Sequence, residues 1–211
     1  MKSVKKYLLI CWCLLLVPNA ALASVDDMAK EKAGQAESHL KLRVEEVLEI
    51  VKDPDLIADP AVQEQTLYDK GLEIFDFNTF SMLALGPKYR SFTTRQREEF
   101  IHYFSKLISK TYFPKLAGQD VQNVSILYLD TRSLKPKKNI FRIDISTELV
   151  KGDLHVPIVY RMIQRDSSEW KIYDIKIEGV SMAANYREQY RQKVSQTPED
   201  IITQLREKVD Q

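Results

Sequence analysis

Residues 170–190, WKIYDIKIEGVSMAANYREQY, decide the fold. Tyr173, Ile175 and Ile177 alternate with Asp174, Lys176 and Glu178. That period of two belongs to a strand with one face on a core and the other in water. Gly179 ends the strand, because without a Cβ it reaches backbone angles closed to other residues. Val180, Met182, Ala183 and Tyr186 then return at helical spacing. One glycine therefore turns the chain from strand to helix, and this corner must rest on a large apolar surface.

The same alternation recurs upstream, predicting strands over 124–129, 140–149 and 156–164. In the second of these, Phe141, Ile143, Ile145 and Thr147 face one way and Arg142, Asp144, Ser146 and Glu148 the other. Lys151-Gly152-Asp153 and residues 165–168 read as hairpin turns. Pro157 lacks a backbone donor, which points to an edge or a bulge. Arg132, Lys135, Lys137 and Lys138 fall in the expected loop between the first two strands.

Before the strands the period is helical. Leu40, Val44, Val47, Leu48 and Val51 share a stripe, so 35–52 reads as an amphipathic helix behind a loose polar stretch, 24–32. Asp59-Pro60 starts another, running toward 72–75, and 78–85 is a shorter one ended by Gly86-Pro87. Asp76, between Phe75 and Phe77, is expected to cap it. Thr93 and Gln96 form a capping box that opens a helix to about Tyr112, stopped by Pro114. After the corner, Thr197-Pro198 begins a last helix with Ile201, Ile202, Leu205 and Val209 on its apolar side. The expected fold is α+β: an antiparallel four-stranded meander covered on one face by helices. It forms one domain over 24–211, with helical parts 24–120 and 180–211 and a sheet part 121–179.

The first 23 residues read as a signal peptide. Lys2, Lys5 and Lys6 form a basic start, 7–17 an apolar run too short to span a bilayer, and Ala21-Leu22-Ala23 a cleavage site. Cleavage after Ala23 removes three lysines and no acid, taking the formal net charge from +1 to −2, and removes both cysteines, Cys11 and Cys13. A near-neutral, interspersed balance argues against a nucleic-acid partner. An exported domain of this length buries enough surface without disulfides.

No catalytic constellation stands out. His39, His102 and His155 lie on a helix, a helix and a strand, with no zinc-ligand spacing. Gly179-Val180-Ser181-Met182-Ala183 approaches the hydrolase elbow, but no histidine follows Ser181, which reads better as a helix cap. A hydrolase using Ser181 is the weaker alternative, and the chain is not expected to be an enzyme. Lys88, Arg90, Arg95 and Arg97 cluster before the long helix, where cations can meet an anionic group or a partner.

Two runs carry a family resemblance. One is Phe75-Asp76-Phe77, then Met82-Leu83-Ala84-Leu85-Gly86, Arg90, Thr94-Arg95-Gln96-Arg97, Phe100 and Phe104. The other is 170–182, then Asn185-Tyr186-Arg187 and Tyr190. In order, and over nearly the whole chain after residue 23, they resemble the MlaC or toluene-tolerance family. The departures are Tyr190, where phenylalanine is usual, and a poorly matching stretch over 115–123. The resemblance implies a periplasmic phospholipid carrier with a lipid cavity between sheet and helices and no cofactor. Its implied partners are an outer-membrane lipoprotein complex and an inner-membrane ABC transporter with an MCE-domain subunit. Within the same family the cargo can be another lipid, such as a hopanoid. The expected lipid-binding residues are Phe75, Met82, Phe100, Phe104, Leu107, Ile108, Ile143, Ile145, Ile158, Tyr160, Tyr173 and Ile175. Lys88, Arg90 and Arg97 are expected to contact a head group or a partner.

Overall fold

The computed structural model describes residues 25–116, 123–193 and 195–210. The expected signal peptide lies outside the described residues, as does most of the stretch that departs from the family pattern. Helices α1 (Val25–Lys52), α2 (Pro54–Ala58), α3 (Pro60–Ile74) and α4 (Phe77–Leu85) come first. A 3-10 turn, Gly86–Ser91, leads to α5 (Thr94–Leu116). Strands β1 (Ser125–Lys137), β2 (Ile140–Lys151), β3 (Leu154–Arg165), β4 (Lys171–Ile177) and β5 (Val180–Ser181) follow, then α6 (Met182–Gln192) and α7 (Pro198–Asp210). The sheet is antiparallel throughout, ordered β1-β2-β3-β4-β5, and helices pack against it: the fold is α+β.

The sheet has five strands, not the expected four. Glu178 and Gly179 both take positive φ, 50° and 82°, and make a tight hairpin turn. Ser181 then pairs back to Lys176 before α6 begins. Val180 sits on this added strand, 61% exposed, instead of opening the apolar side of the helix. Strand β1 runs eight residues past its expected end, so Arg132, Lys135 and Lys137 lie on a strand, and only Lys138 is left in the turn, at φ 54. Pro157 stands on an interior strand. Its carbonyl accepts from Glu178 N (2.9 Å), and in an antiparallel strand N and O of one residue point the same way. The missing donor thus faces the corner where β4 has ended, a local edge.

The helices also differ at their ends. Helix α1 starts at Val25, so the stretch expected to be loose is helical. Ala33 and Ala36 pack on the sheet, and Ser133 Oγ donates to Ala29 O (3.1 Å), which ties that first part down. Asp53 caps the short α2, accepting from Asp55 N and Leu56 N. Helix α5 runs through Pro114, which removes one donor from a last turn rather than ending the helix. The expected caps are present. Thr93 and Gln96 exchange hydrogen bonds, and Asp59, Asp76 and Ser181 accept from Val62 N, Thr79 N and Ala184 N.

Two apolar clusters hold the layers together. In one, Ala36 and Leu40 of α1 meet Ile143, Ile145, Met162 and Ile172 of the sheet. In the other, α4 to α7 pack round an aromatic stack, with Phe100 and Phe80 rings 5.1 and 5.4 Å from Phe104 and Tyr186 edge-on to it at 4.9 Å. A polar lock joins helices to sheet between them. Asp76 N donates to Ile172 O (2.8 Å), and Arg165 donates to the Asp76 carboxylate and the Thr79 hydroxyl, both at 2.6 Å. Among the described residues no helix is long and apolar enough to cross a membrane.

Candidate functional site

Register arranges the covered face of the sheet in rows. Ile175, Tyr160, Ile145 and Thr131 stand side by side; the next row is Ile177, Ile158, Thr147 and Tyr128; the next is Val156, Leu149 and Ile126. Helix α1 covers the first row from the β1 side. Further along, cover thins: Ile177, Tyr128, Val156, Leu149 and Ile126 are all half-buried. Ile158 is 9% exposed yet belongs to neither cluster. Phe75 and Ile175 sit at the margins of both clusters, and Ile177 at that of the helical one. The result is an apolar trough, floored by Ile158, Tyr160, Ile175 and Ile177, with Phe75 at its rim.

The expected site residues divide accordingly. Phe75, Ile158, Tyr160 and Ile175 come together at the trough, while Leu107 lies on the α6 and α7 side of α5, beside Tyr186, Tyr190 and Ile201. Phe100, Phe104 and Ile108 lie inside the helical cluster, at 0%, 0% and 5% exposure, and Ile143 and Ile145 inside the other, at 1% and 0%. These five are packed core next to the trough. Met82, 42% exposed, points outward from α4 and is not brought to the trough.

Tyr173 lies on the other face of the sheet. Register slips between Arg161/Asp174 and Met162/Ile172, leaving Tyr173 as an extra residue, and Arg161 stands 4.9 Å over its ring. Burial raises the Tyr173 phenol pKa, and the Arg161 guanidinium opposes that. Asp174, expected to face water, is 1% exposed. It closes a row of alternating charge across the sheet: Arg132, Asp144, Arg161 and Asp174, at 3.1, 3.4 and 3.2 Å. Its carboxylate also accepts from Ser181 Oγ (2.6 Å) and Ala183 N (3.0 Å). Ser181 is thus engaged as a cap and as a donor, and its partners among the described residues include no histidine. His39 accepts from Arg43, His155 pairs with Glu148, and His102 meets the Tyr103 ring edge-on.

Among the cations, Arg97 is structural: Nη2 donates to Tyr89 O (3.2 Å) and the guanidinium lies 4.3 Å over the Tyr89 ring. Lys88 and Arg90, on the 3-10 turn, have no ion-pair partner among the described residues. Two residues that the sequence reading passed over matter more. Tyr128 enters the trough row because β1 carries a bulge at Leu129, which keeps Tyr128 and Thr131 on one face at a spacing of three. Ile126 lies on the same face. Burial pushes the phenols of Tyr128 and Tyr160 up to about 12.

An open groove of about 710 Å³ runs from Glu45 to Asp55 along the outside of α1 and α2; its open shape and its charged lining, Glu45, Glu49, Lys52, Asp53 and Asp55, do not suit an acyl chain. A crevice of about 20 Å³ beside Tyr186 and Tyr190 has room for about one water and none for an acyl chain.

This arrangement defines a class: an α+β binding domain whose sheet and helices hold an apolar trough between them. The family described as MlaC protein matches residues 42–207, and the chain belongs to that family. It is similar to the intermembrane phospholipid transport system binding protein MlaC of Haemophilus influenzae, at 31% identity over 102 residues. That match spans 47% of this chain and 45% of the relative, so about half the length of each. Its fold is similar to that of a phospholipid-binding protein from Ralstonia solanacearum solved with a phospholipid bound. The TM-score is 0.72 at 24% identity, over 83% of this chain and 97% of the other.

Proposed function

We propose that this protein is a periplasmic phospholipid carrier that shuttles lipid between an outer-membrane lipoprotein complex and an inner-membrane ABC transporter with an MCE-domain subunit. The observation that carries the reading is the trough: Ile158 buried outside both clusters, flanked by half-buried Ile177, Ile175 and Tyr160. Family membership supports it, as do the bound phospholipid of the Ralstonia solanacearum neighbour and the transport system named for the Haemophilus influenzae relative.

The physics of the task fits these parts. Each buried methylene stabilises a lipid tail against water by about 0.8 kcal/mol, so a free phospholipid crosses an aqueous gap slowly. A trough with half-buried walls lowers that barrier and still releases its load. No bond is made or broken, so no nucleophile or base is required. Lys88 and Arg90 are the side chains offered for head-group or partner contact; Arg97 supports the turn that presents them. The test is transfer of a fluorescent phospholipid between two vesicle populations. The protein is expected to raise the transfer rate in proportion to its concentration; a rate equal to that without protein contradicts a carrier.

A further inference from the structure

The cations expected in a loop lie instead at the end of an edge strand. Strand β1 comes first in the order β1-β2-β3-β4-β5 and pairs on one side only, with β2. In an antiparallel strand every other residue turns its N–H and C=O away from the neighbour it pairs with. On β1 these groups find no backbone partner among the described residues. Edge strands are ordinarily kept short, or are broken by bulges and prolines. β1 is 13 residues long, and between its bulge at Leu129 and Pro136, residues 130–134 pair with β2 without a break. Helix α1 braces this stretch through side chains: Thr131 Oγ1 donates to Glu37 (2.8 Å) and Ser133 Oγ to Ala29 O (3.1 Å). Those bonds leave the main-chain edge unpaired. The strand carries three cations, Arg132, Lys135 and Lys137, against one carboxylate, Asp130. Arg132 is held by Asp144 (3.1 Å). Lys135, Lys137 and the adjoining Lys138 are exposed and have no ion-pair partner among the described residues.

We propose that β1 docks an extended, acidic segment of a partner protein, which adds to the sheet as a sixth strand beside residues 130–134 and sets its carboxylates along Lys135, Lys137 and Lys138. Main-chain hydrogen bonds supply the affinity of such an addition, and the lysines supply the choice of partner. Other occupants satisfy only half of the surface. A membrane offers phosphates to the lysines but no row of N–H and C=O groups to a strand edge. A second copy offers the backbone, but its β1 brings the same three cations, and like charges set opposite each other destabilise a strand pair. An acidic strand answers both the free backbone groups and the free ammonium groups. Docking at β1 is independent of whether the trough carries lipid, and peptide binding reads it without lipid.

The test titrates isotope-labelled protein with three peptides, each capped at both ends. One is Glu-Val-Glu-Thr-Glu-Val-Glu; the second has lysine at every glutamate; the third is Glu-Pro-Glu-Pro-Glu-Pro-Glu, with the same charge and no capacity to form a ladder. The first peptide is expected to bind and to slow amide exchange on β1 within residues 130–135. The other two are expected to bind roughly tenfold more weakly or not at all. Lys135→Glu with Lys137→Glu, both exposed, is expected to keep the thermal midpoint, weaken the first peptide by roughly tenfold and strengthen the lysine peptide. Equal binding of the two acidic peptides leaves charge attraction alone and overturns strand addition. Affinity for the first peptide that is absent, or unchanged in the double variant, overturns the proposal. Exchange on β1 that slows with protein concentration alone assigns the edge to a second copy and overturns the acidic partner. So does adsorption to phosphatidylglycerol vesicles, lost in the double variant, by protein that binds no peptide; the surface then belongs to a membrane.

Discussion

At the scale of single residues, two carboxylates do most of the joining. Asp76 caps α4 and holds Arg165, so it fastens the α3–α4 corner to the end of β3. Burial by itself raises its pKa, but hydrogen bonds from the Thr79 side chain and backbone, together with Arg165, more than offset this and hold it below the ordinary value. A depressed folded pKa gives stability that is present above the unfolded value, about 3.9, and lost as pH falls through the folded one. Asp76→Asn is therefore expected to cost about 1–3 kcal/mol at pH 7 and to flatten the acid side of the Tm-against-pH curve. Curves for wild type and variant that stay parallel below about pH 5 contradict that account. Ser181→Ala tests the cap on α6. The expected loss is about 0.5–2 kcal/mol, with lipid content unchanged, because Asp174 keeps Ala183 N and Arg161. Esterase activity present in wild type and lost in the variant contradicts the reading of Ser181 as a cap.

At the scale of elements, the trough and the core beside it respond differently to a buried charge. Ile145, fully buried under α1, has no water to reach. Ile145→Asp is expected to cost several kcal/mol and leave little folded protein. Ile158, two positions from Tyr160, lies outside both clusters, where the proposed carrier reading has the rows part for a tail, so water is expected to follow the carboxylate in. Ile158→Asp is expected to fold, with a modestly lower thermal midpoint, and to purify without lipid. A common collapse of both variants makes the trough ordinary core.

The limits of sequence reading lie at the same scale. Alternation over 140–149 and 156–164 announced β2 and β3, whose pairing is unbroken from Ile140 to Lys151. Capping chemistry announced α3, α4 and α5. Bulges were not legible, because the extra residue in β1 and in β4 satisfies alternation on either side while reversing its phase. That is why Tyr173 was assigned to the wrong face and Tyr128 was passed over. Asp174 looks like a surface acid in sequence. It is buried by partners 13 residues before and 7 after it, Arg161 and Ser181, which no local pattern links. Met82 fits the apolar spacing of α4 and still faces out, because Phe77, Phe80, Ala84 and Leu85 take the side that packs on the other elements.

At the scale of the whole molecule, the two clusters divide the labour. The aromatic stack of α4 to α7 and the α1-to-sheet core share Phe75 and Ile175 at their margins, and polar contacts tie the two sides together: the Asp76–Arg165 lock, Asp174 with Ala183 N, and Tyr68 with Ser105. On the proposed carrier reading, tails part the rows at the margin between the two clusters, so that loading and unloading leave both cores packed. Native mass spectrometry of the protein purified without detergent or organic solvent tests this most directly, with Ile158→Asp measured beside it. The account predicts a folded wild-type ion carrying the mass of a phospholipid, removable by organic extraction, and a folded Ile158→Asp ion at the mass of the bare chain. A wild-type ion at the bare mass, or lipid retained equally by both proteins, contradicts it.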